Sequence, residues 1–359
     1  MARLTAYLSK QAFLHNIETL SQRAFGQGMP ARILFPVKAN AYGHGLLEMA
    51  HTAEPEREIW GFAVATADEA FELREGGIQK PILLLTPAET ADTPALHSLK
   101  VRLTVSSATD IENAKPGSTV HLKINTGLNR LGARPQDISQ LIDLIGKKGL
   151  LLEGIFSHFA CADDDDPTSA ERQLHIFEQS TGAVPSPTIK HISNSAGVFR
   201  FGPRAAFDLI RPGIALYGYA PNPTWKTHLG LQPVLTLKAR IAHIQQVQPG
   251  ESVSYGALWT AQTPTQVAVI SVGYGDGYPR NATKAHIEIQ GAIRPILGRI
   301  CMDQMMADAT DLNIHVGDVV SLWGSNAITA TEVAKTADTS DYEILTRLDA
   351  KRVRRLWVP

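Results

Sequence analysis

The sequence predicts an α/β protein, a (β/α)8 TIM-type barrel followed by a C-terminal, mostly β domain. Three observations predict it. From Ile33 to about Tyr219, eight short apolar runs alternate with amphipathic stretches, the pattern of strand–helix units on a parallel sheet. Polar and charged residues collect where those runs end, as they do at the C-terminal mouth of a barrel. After Tyr219 the alternation stops, Pro221, Pro223 and Pro233 mark a connection, and β-type runs take over.

The first run, Ile33–Val37, is apolar at every position, as a strand buried on both faces should be. Gly61–Thr66, Pro81–Thr86, Val101–Ser106, Thr119–Asn125, Leu150–His158, Thr188–Ser193 and Phe207–Arg211 complete the set of candidate strands. Helical stretches separate them. In Ala67–Arg74 the acidic Glu69, Glu72 and Glu75 share the polar side, Ala70, Phe71 and Leu73 supply apolar contacts, and Gly76-Gly77 is a stop signal. Pro135–Lys147 opens on a proline suited to a first helical turn, and Thr168–Gln179 is a third such stretch. Beyond the connection, Leu235–Val247, Ser252–Leu258, Gln266–Val272, His286–Gln290 and Val319–Trp323 read as strands, with one helix near Thr331–Ala337. This places a barrel over residues 10–230 and a β domain over residues 231–359.

Bulk composition narrows the function. Lys and Arg number 34 against 35 Asp and Glu, a net charge of -1, so nothing global draws the chain to nucleic acid or to an anionic membrane. Small-molecule chemistry is the expectation. Only two cysteines occur, Cys161 and Cys301, in no CxxC or Cys/His spacing, which fits a reducing compartment and gives no metal site. Arg3, Lys10 and His15 interrupt the stretch from Met1 to Asn16, which therefore lacks the apolar core of a signal peptide, and no later run reaches membrane-spanning length. A cytoplasmic protein is expected. The run Asp163-Asp164-Asp165-Asp166 lacks oxygen-ligand spacing and reads as a solvated loop ahead of a helix.

Lys38 stands at the far end of the first run, before a glycine-broken turn carrying Asn40, Tyr42 and His44. An ammonium is costly to bury, and an amine that loses its proton in a pocket is a nucleophile toward carbonyls, which makes Schiff-base chemistry possible. The segment Val37-Lys38-Ala39-Asn40-Ala41-Tyr42-Gly43-His44-Gly45 resembles the cofactor-lysine motif of the alanine racemases, pyridoxal-phosphate enzymes that interconvert L- and D-alanine. The resemblance implies that Lys38 holds pyridoxal 5'-phosphate as an aldimine and is one of two catalytic bases. Tyr42 would lie among the cofactor-binding residues.

Further segments carry the same resemblance, in order. In His121–Gly132, Arg130 would reach the cofactor's phenolic oxygen and the substrate, and Lys123 would help fix Arg130, in some relatives as a carbamate. Many relatives have an Asp and a Met where this chain has Asn125 and Leu128, so the carbamate stays open here. In Ile210–Gly218, Arg211 would face the pyridine nitrogen; a guanidinium cannot accept a proton, so that nitrogen would stay uncharged and the ring a weaker electron sink, favouring racemisation over transamination. His158 would support Arg211, and His191 is open between that role and a structural one. Asn194, Ser195, Gly213 and Ile214 follow the seventh and eighth strands, where barrels commonly bind phosphate.

The β part has its own matches. Ser252-Val253-Ser254-Tyr255-Gly256 is similar to the segment bearing the second base, so Tyr255 of the partner subunit in a homodimer would complete each active site. Met302 and Asp303 would help bind the substrate carboxylate, and Tyr274, in a Gly-rich run that no helix follows, would line the mouth. By the same resemblance residues 1–9, including Leu4–Leu8, pack with the β domain. The tail differs: Asp349–Arg354 stands where relatives often carry a phosphate-binding tyrosine. Other readings are a racemase of broader range, a decarboxylase on the same plan, which should lack a tyrosine base such as Tyr255, and a cofactor carrier or binding protein built from a barrel alone, which leaves the β domain unexplained.

Overall fold

The computed structural model describes residues 2–26, 32–182, 184, 186–325 and 327–358. Strand β1 (Leu4–Ser9) runs directly into helix α1 (Lys10–Phe25). Seven parallel strands come next: β2 (Ile33–Pro36), β3 (Ile59–Val64), β4 (Ile82–Leu84), β5 (Arg102–Val105), β6 (Thr119–Lys123), β7 (Leu151–Phe156) and β8 (Ile189–His191). They pair in sequence order, β2 to β8. β-branched and aromatic residues fill the interior: Phe35 meets Phe62 and Tyr217 at ring distances of 6.2 and 5.6 Å. The Tyr217 hydroxyl donates to Pro36 O at 2.9 Å, so the buried phenol is satisfied.

The eighth segment departs from expectation. Phe207–Arg211 forms a single bridge, Ile33 to Ile210, instead of a strand, because Phe207 sits at φ 47° and Pro212 has no N–H to continue a ladder. It still joins both edges of the curled sheet. Ile210 N–H donates to Arg32 O (3.1 Å) and Leu34 N–H to Ile210 O (2.9 Å), while Asp208 N–H and Arg211 N–H donate to Lys190 O (3.0 Å) and Ser193 O (2.8 Å). Arg211 is thereby held at the barrel's C-terminal end. Helices Ala67–Glu75, Ile138–Lys147 and Thr168–Thr181 occupy the three stretches read as helical.

The remaining strands are β9 (Leu235–Val247), β10 (Ser252–Val253), β11 (Trp259–Thr260), β12 (Thr265–Ile270), β13 (His286–Ile289), β14 (Ala292–Pro295), β15 (Met305–Asp308), β16 (Val319–Trp323) and β17 (Arg354–Val358). The long β9 is the spine, pairing antiparallel with β1, β12 and β16, while β17 runs parallel to β1. The stretch Ser252–Leu258 is a strand only at its start: Ser254 at φ 69° and Gly256 at φ 75° turn it into the 3-10 turn Tyr255–Ala257. A second helix, Asp341–Thr346, follows Ala330–Thr336. Two compact units result, one of Leu14–Ala41 with Leu46–Gln232, the other of Met1–Phe13, Tyr42–Gly45 and Pro233–Pro359. No helix among the described residues is long and apolar enough to cross a membrane.

Candidate active site

Lys38 opens an unusual turn. Ala39, Asn40, Ala41 and Tyr42 all adopt φ between 51° and 54°, one turn of left-handed helix built from non-glycine residues. Glu69 braces it: one carboxylate oxygen accepts the Ala39 N–H at 2.6 Å and the other accepts Ala65 N–H at 2.8 Å, while Glu69 also closes the capping box with Thr66. The Asn40 side-chain Oδ1 accepts Leu46 N–H at 2.8 Å. Held there, the Lys38 amine is pushed below its ordinary value, first by burial and then by the Arg130 guanidinium, with Glu69 opposing.

Arg130 rides on a clip. Asn125 N–H and Ala133 N–H bond back at 2.8 Å each, to Ala133 O and Lys123 O, and the Asn125 side chain accepts from Gly127 and Asn129 N–H at 3.1 Å while donating to Asn129 Oδ1 at 2.9 Å. An amide can donate and accept at once; a carboxylate in its place could not make that last bond. A Cβ on Gly132 would stand 2.5 Å from Asn125 N, so the clip needs glycine. Gln173 braces the neighbouring strand end, donating to Thr126 Oγ1 (3.2 Å) and His158 O (3.0 Å) and accepting from Ala160 N–H (2.8 Å).

Arg211 is 3% exposed and is held on two sides. Nη1 donates to His191 Nδ1 at 2.7 Å; Nη2 faces Ser157 O (2.5 Å), Ile192 O (3.1 Å) and His158 Nδ1 (3.3 Å). Burial pushes the guanidinium down to about 9, which leaves it charged at neutral pH. His158 has donors at both ring nitrogens, Arg211 Nη2 3.3 Å from Nδ1 and Asn194 Nδ2 3.5 Å from Nε2; burial, then Arg211, hold it well below the ordinary histidine range. Lys123 and Arg211 stand over the same Phe156 ring, each 5.3 Å from its centre. Burial pushes Lys123 down to about 8, and Arg211, Arg130 and Lys38 push in the same direction.

Four cations thus converge at one barrel mouth. Among the described residues none of them is in an ion pair. Asn194 caps the helix Ser195–Phe201, and Ser195 Oγ accepts Ala215 N–H at 3.2 Å, which ties the helix start to the segment after Gly213 and Ile214. The donor set suits an anionic, phosphorylated ligand. Tyr42 belongs to the β-rich unit instead, its ring 6.1 Å from Tyr342, and burial pushes its phenol up to about 12.

On the β-rich unit, Tyr255, Met302 and Asp303 line one open depression of about 540 Å³ with Ser254, Cys301 and Gln304. Tyr255 is 72% exposed and Met302 53%. Tyr274 joins them through the backbone, Tyr274 N–H donating to Cys301 O (3.0 Å) and Gly275 N–H to Met302 O (2.8 Å). Asp303 pairs with Arg352, which also reaches the buried Asp276 at 2.9 Å; Asp276 in turn holds Arg3. Sequence reasoning missed Glu69 and Gln173 as braces, although Thr66 three residues before Glu69 is a legible capping signal. No cluster of three His, Cys, Asp or Glu that could hold a metal occurs among the described residues.

The chain matches the family described as "Alanine racemase, N-terminal domain" over residues 8–221 and "Alanine racemase, C-terminal domain" over residues 234–357. It is 44% identical to an alanine racemase of Deinococcus radiodurans across 99% of both chains. Another, from Deinococcus deserti, is 43% identical over 100% of this chain and 99% of its own length. Among solved structures, the alanine racemase of Clostridium difficile 630 superposes with a TM-score of 0.92 at 32% identity, covering 100% of this chain and 96% of that one. The alanine racemase from Bacillus anthracis with bound L-Ala-P gives a TM-score of 0.92 at 30% identity, with the same coverages of 100% and 96%.

Proposed function

The chain belongs to the alanine racemase family and is an isomerase, and from that premise we propose that it interconverts L- and D-alanine with pyridoxal 5'-phosphate held on Lys38 and with Tyr255 of the partner subunit as second base. The observation that carries this reading is the mouth itself: a lysine whose proton affinity is lowered despite Glu69, among three further cations, none of the four in an ion pair among the described residues. A phosphorylated anionic cofactor supplies the missing charge.

Pyridoxal phosphate, when bound, supplies an electron sink that lets the Cα–H bond of an amino acid break. Lys38 holds the group and moves the proton on one face. Arg211 donates toward the pyridine nitrogen and, being unable to accept a proton, leaves that nitrogen uncharged. Arg130 donates to the phenolic oxygen and to the substrate carboxylate, and Lys123 supports Arg130. Ser195 and the backbone at Gly213 and Ile214 take the phosphate, with Asn194 beside them, and His158 backs Arg211. Met302 and Asp303 receive the substrate carboxylate from the partner's side, and Tyr274 lines the mouth.

Two measurements test the reading together. Incubation with L-alanine should give D-alanine by chiral chromatography until the two are about equal, since the enantiomers have the same free energy in water. Borohydride treatment followed by peptide mapping should place the reduced pyridoxyl adduct on Lys38. An adduct on Lys123, or amino acid left optically pure, overturns it.

A further inference from the structure

The hydrogen bonds that hold Arg211 continue beyond His191. His191 Nε2 lies 2.9 Å from His121 Nδ1, and His121 Nε2 lies 3.0 Å from Glu153 Oε2. Glu153 is gripped by Arg102, through Nε at 3.1 Å and Nη2 at 3.2 Å. Both histidines are fully buried. The path crosses the barrel interior from the segment after β8, through the end of β8 and the middle of β6, to Glu153 in β7 and Arg102 at the start of β5.

The packing around this path is specific to it. A Cβ on Gly154 would stand 2.4 Å from His121 Nδ1, so glycine opposite His121 in the β6–β7 register makes room for the ring. Phe156 stacks on His191 at 4.9 Å with an interplanar angle of 1° and meets His121 edge-on. Trp60 closes the other side of His121 at 6.2 Å and carries Arg102 over its ring.

The chemistry of the two ends gives the path a direction. A guanidinium only donates and a carboxylate only accepts. His191 Nδ1 therefore accepts from Arg211, its proton sits on Nε2, His121 Nδ1 accepts that proton's bond, and His121 Nε2–H donates to Glu153. Reversing the links would set donor against donor at Arg211 and acceptor against acceptor at Glu153, with both imidazoles buried. We propose that Arg211, His191, His121 and Glu153 form a one-way hydrogen-bond relay in which Glu153, at the far end, is a positioning residue that fixes both histidines as neutral Nε2–H tautomers and so holds the Arg211 guanidinium in its catalytic orientation.

This arrangement answers a problem of the site. A carboxylate placed against Arg211 would steer and partly cancel the charge meant for the ligand. Two neutral imidazoles let Glu153 polarise the bonds from a distance instead. Titration directions agree. Burial, then Arg211, hold His191 well below the ordinary range; burial lowers His121 although Glu153 opposes it. Burial alone would raise Glu153, but the bonds from His121 and Arg102 outweigh it and hold it down to about 2. The groups facing the pair are Arg211, Glu153 and Arg102, with Phe156 and Trp60 as the apolar walls.

The catalytic half of this inference rests on the proposed role of Arg211; the tautomers do not. In histidine-15N-labelled holoenzyme, two-bond proton–nitrogen correlation spectra from about pH 6 to about pH 9 should show His121 and His191 as neutral Nε2–H rings throughout. An Nδ1–H ring or an imidazolium at either position overturns the relay, whatever the enzyme turns over. Glu153→Gln keeps an acceptor oxygen without its charge. It should shift the tautomer balance at His121 and lower kcat for alanine roughly tenfold, with KM unchanged within about twofold. If activity falls only with the fraction of folded protein, while both tautomers persist, Glu153 is a strut and the relay is wrong. Should Glu153→Gln fail to fold, the spectra of the unsubstituted enzyme still decide.

Discussion

At the scale of single residues, Lys123 shows how the site's charge is balanced. It is 4% exposed at the end of β6, and its amine is pushed from 10.5 down to about 8, first by burial and then by Arg211, Arg130 and Lys38. Between those two values the unfolded chain holds a proton that the folded chain has released. Stability therefore rises with pH across that window, and below about 8 the folded protein carries the full cost. The drop from 10.5 to about 8 bounds that cost near 3 kcal/mol. Lys123→Met should accordingly be more stable than the unsubstituted protein at pH 7 in carbonate-free buffer, and its advantage should shrink as pH climbs from about 8 toward 10.5. Urea midpoints at several pH values measure this. The opposite result, a Met variant less stable at pH 7 with the gap widening in bicarbonate, would mean that the neutral amine has taken up CO2 and that a carbamate answers Arg130. Asn125 belongs to the same balance: its amide orders the Arg130 clip without adding the negative charge that an Asp would bring.

At the scale of elements, the left-handed turn after β2 stores strain next to Lys38. Four consecutive non-glycine residues with φ near 50° cost about 1–2 kcal/mol each. Glu69, Leu46 N–H and Ala41 N–H bonded to Val37 O hold the turn in place. Ala39 is exposed, so replacing it tests the backbone alone. Ala39→Gly relieves its share of strain at an entropic cost of about 0.5–1 kcal/mol in the unfolded chain, so stability should hold or rise by up to about 1 kcal/mol. Ala39→Val should lose 1 kcal/mol or more, roughly, because a β-branched side chain tolerates φ > 0 least. Denaturant midpoints give the order, and an Ala39→Gly variant as unstable as Ala39→Val would mean the turn is not left-handed. This turn was not legible beforehand, since alanine favours right-handed helix and only Gly43 and Gly45 advertise positive φ. The barrel strands were legible because an apolar run bounded by helix signals needs no long-range information. The eighth segment and Ser252–Leu258 were over-read, as backbone turns at Phe207 and Ser254 leave no mark in hydrophobicity. The helix Asp341–Thr346 was under-read despite Ser340 and Glu343 in capping positions, because six residues show too little periodicity. The relay behind Arg211 was out of reach for a different reason: its partners lie 20 to 70 positions apart, and only the barrel's curvature brings them together.

At the scale of the whole molecule, the proposed function assigns the exposed surface of the β-rich unit to a second copy of the chain. Tyr255 and Met302 are 72% and 53% exposed in one depression, and Leu258, three positions after Tyr255, is 59% exposed, large apolar side chains left in water. Racemisation needs proton transfer at both faces of Cα, and one lysine held rigidly on one face of a planar group cannot serve the other. Under the proposed function, Tyr255 of the partner subunit is the second group, so each active site takes Lys38 from one chain and Tyr255 from the other across a two-fold interface. Lys38→Ala and Tyr255→Ala homodimers should each be nearly inactive. When the two are unfolded, mixed in equal amounts and refolded, roughly half of the dimers should be mixed, and each of these holds one site with both defects and one with neither. Half of the dimers with half of their sites intact returns roughly a quarter of the unsubstituted activity, with the KM of the unsubstituted enzyme because every working site is complete. Tagging the two chains differently shows whether mixed dimers have formed. If they form and activity stays at the level of the separate variants, Lys38 and Tyr255 act from the same chain and the shared-site model is wrong.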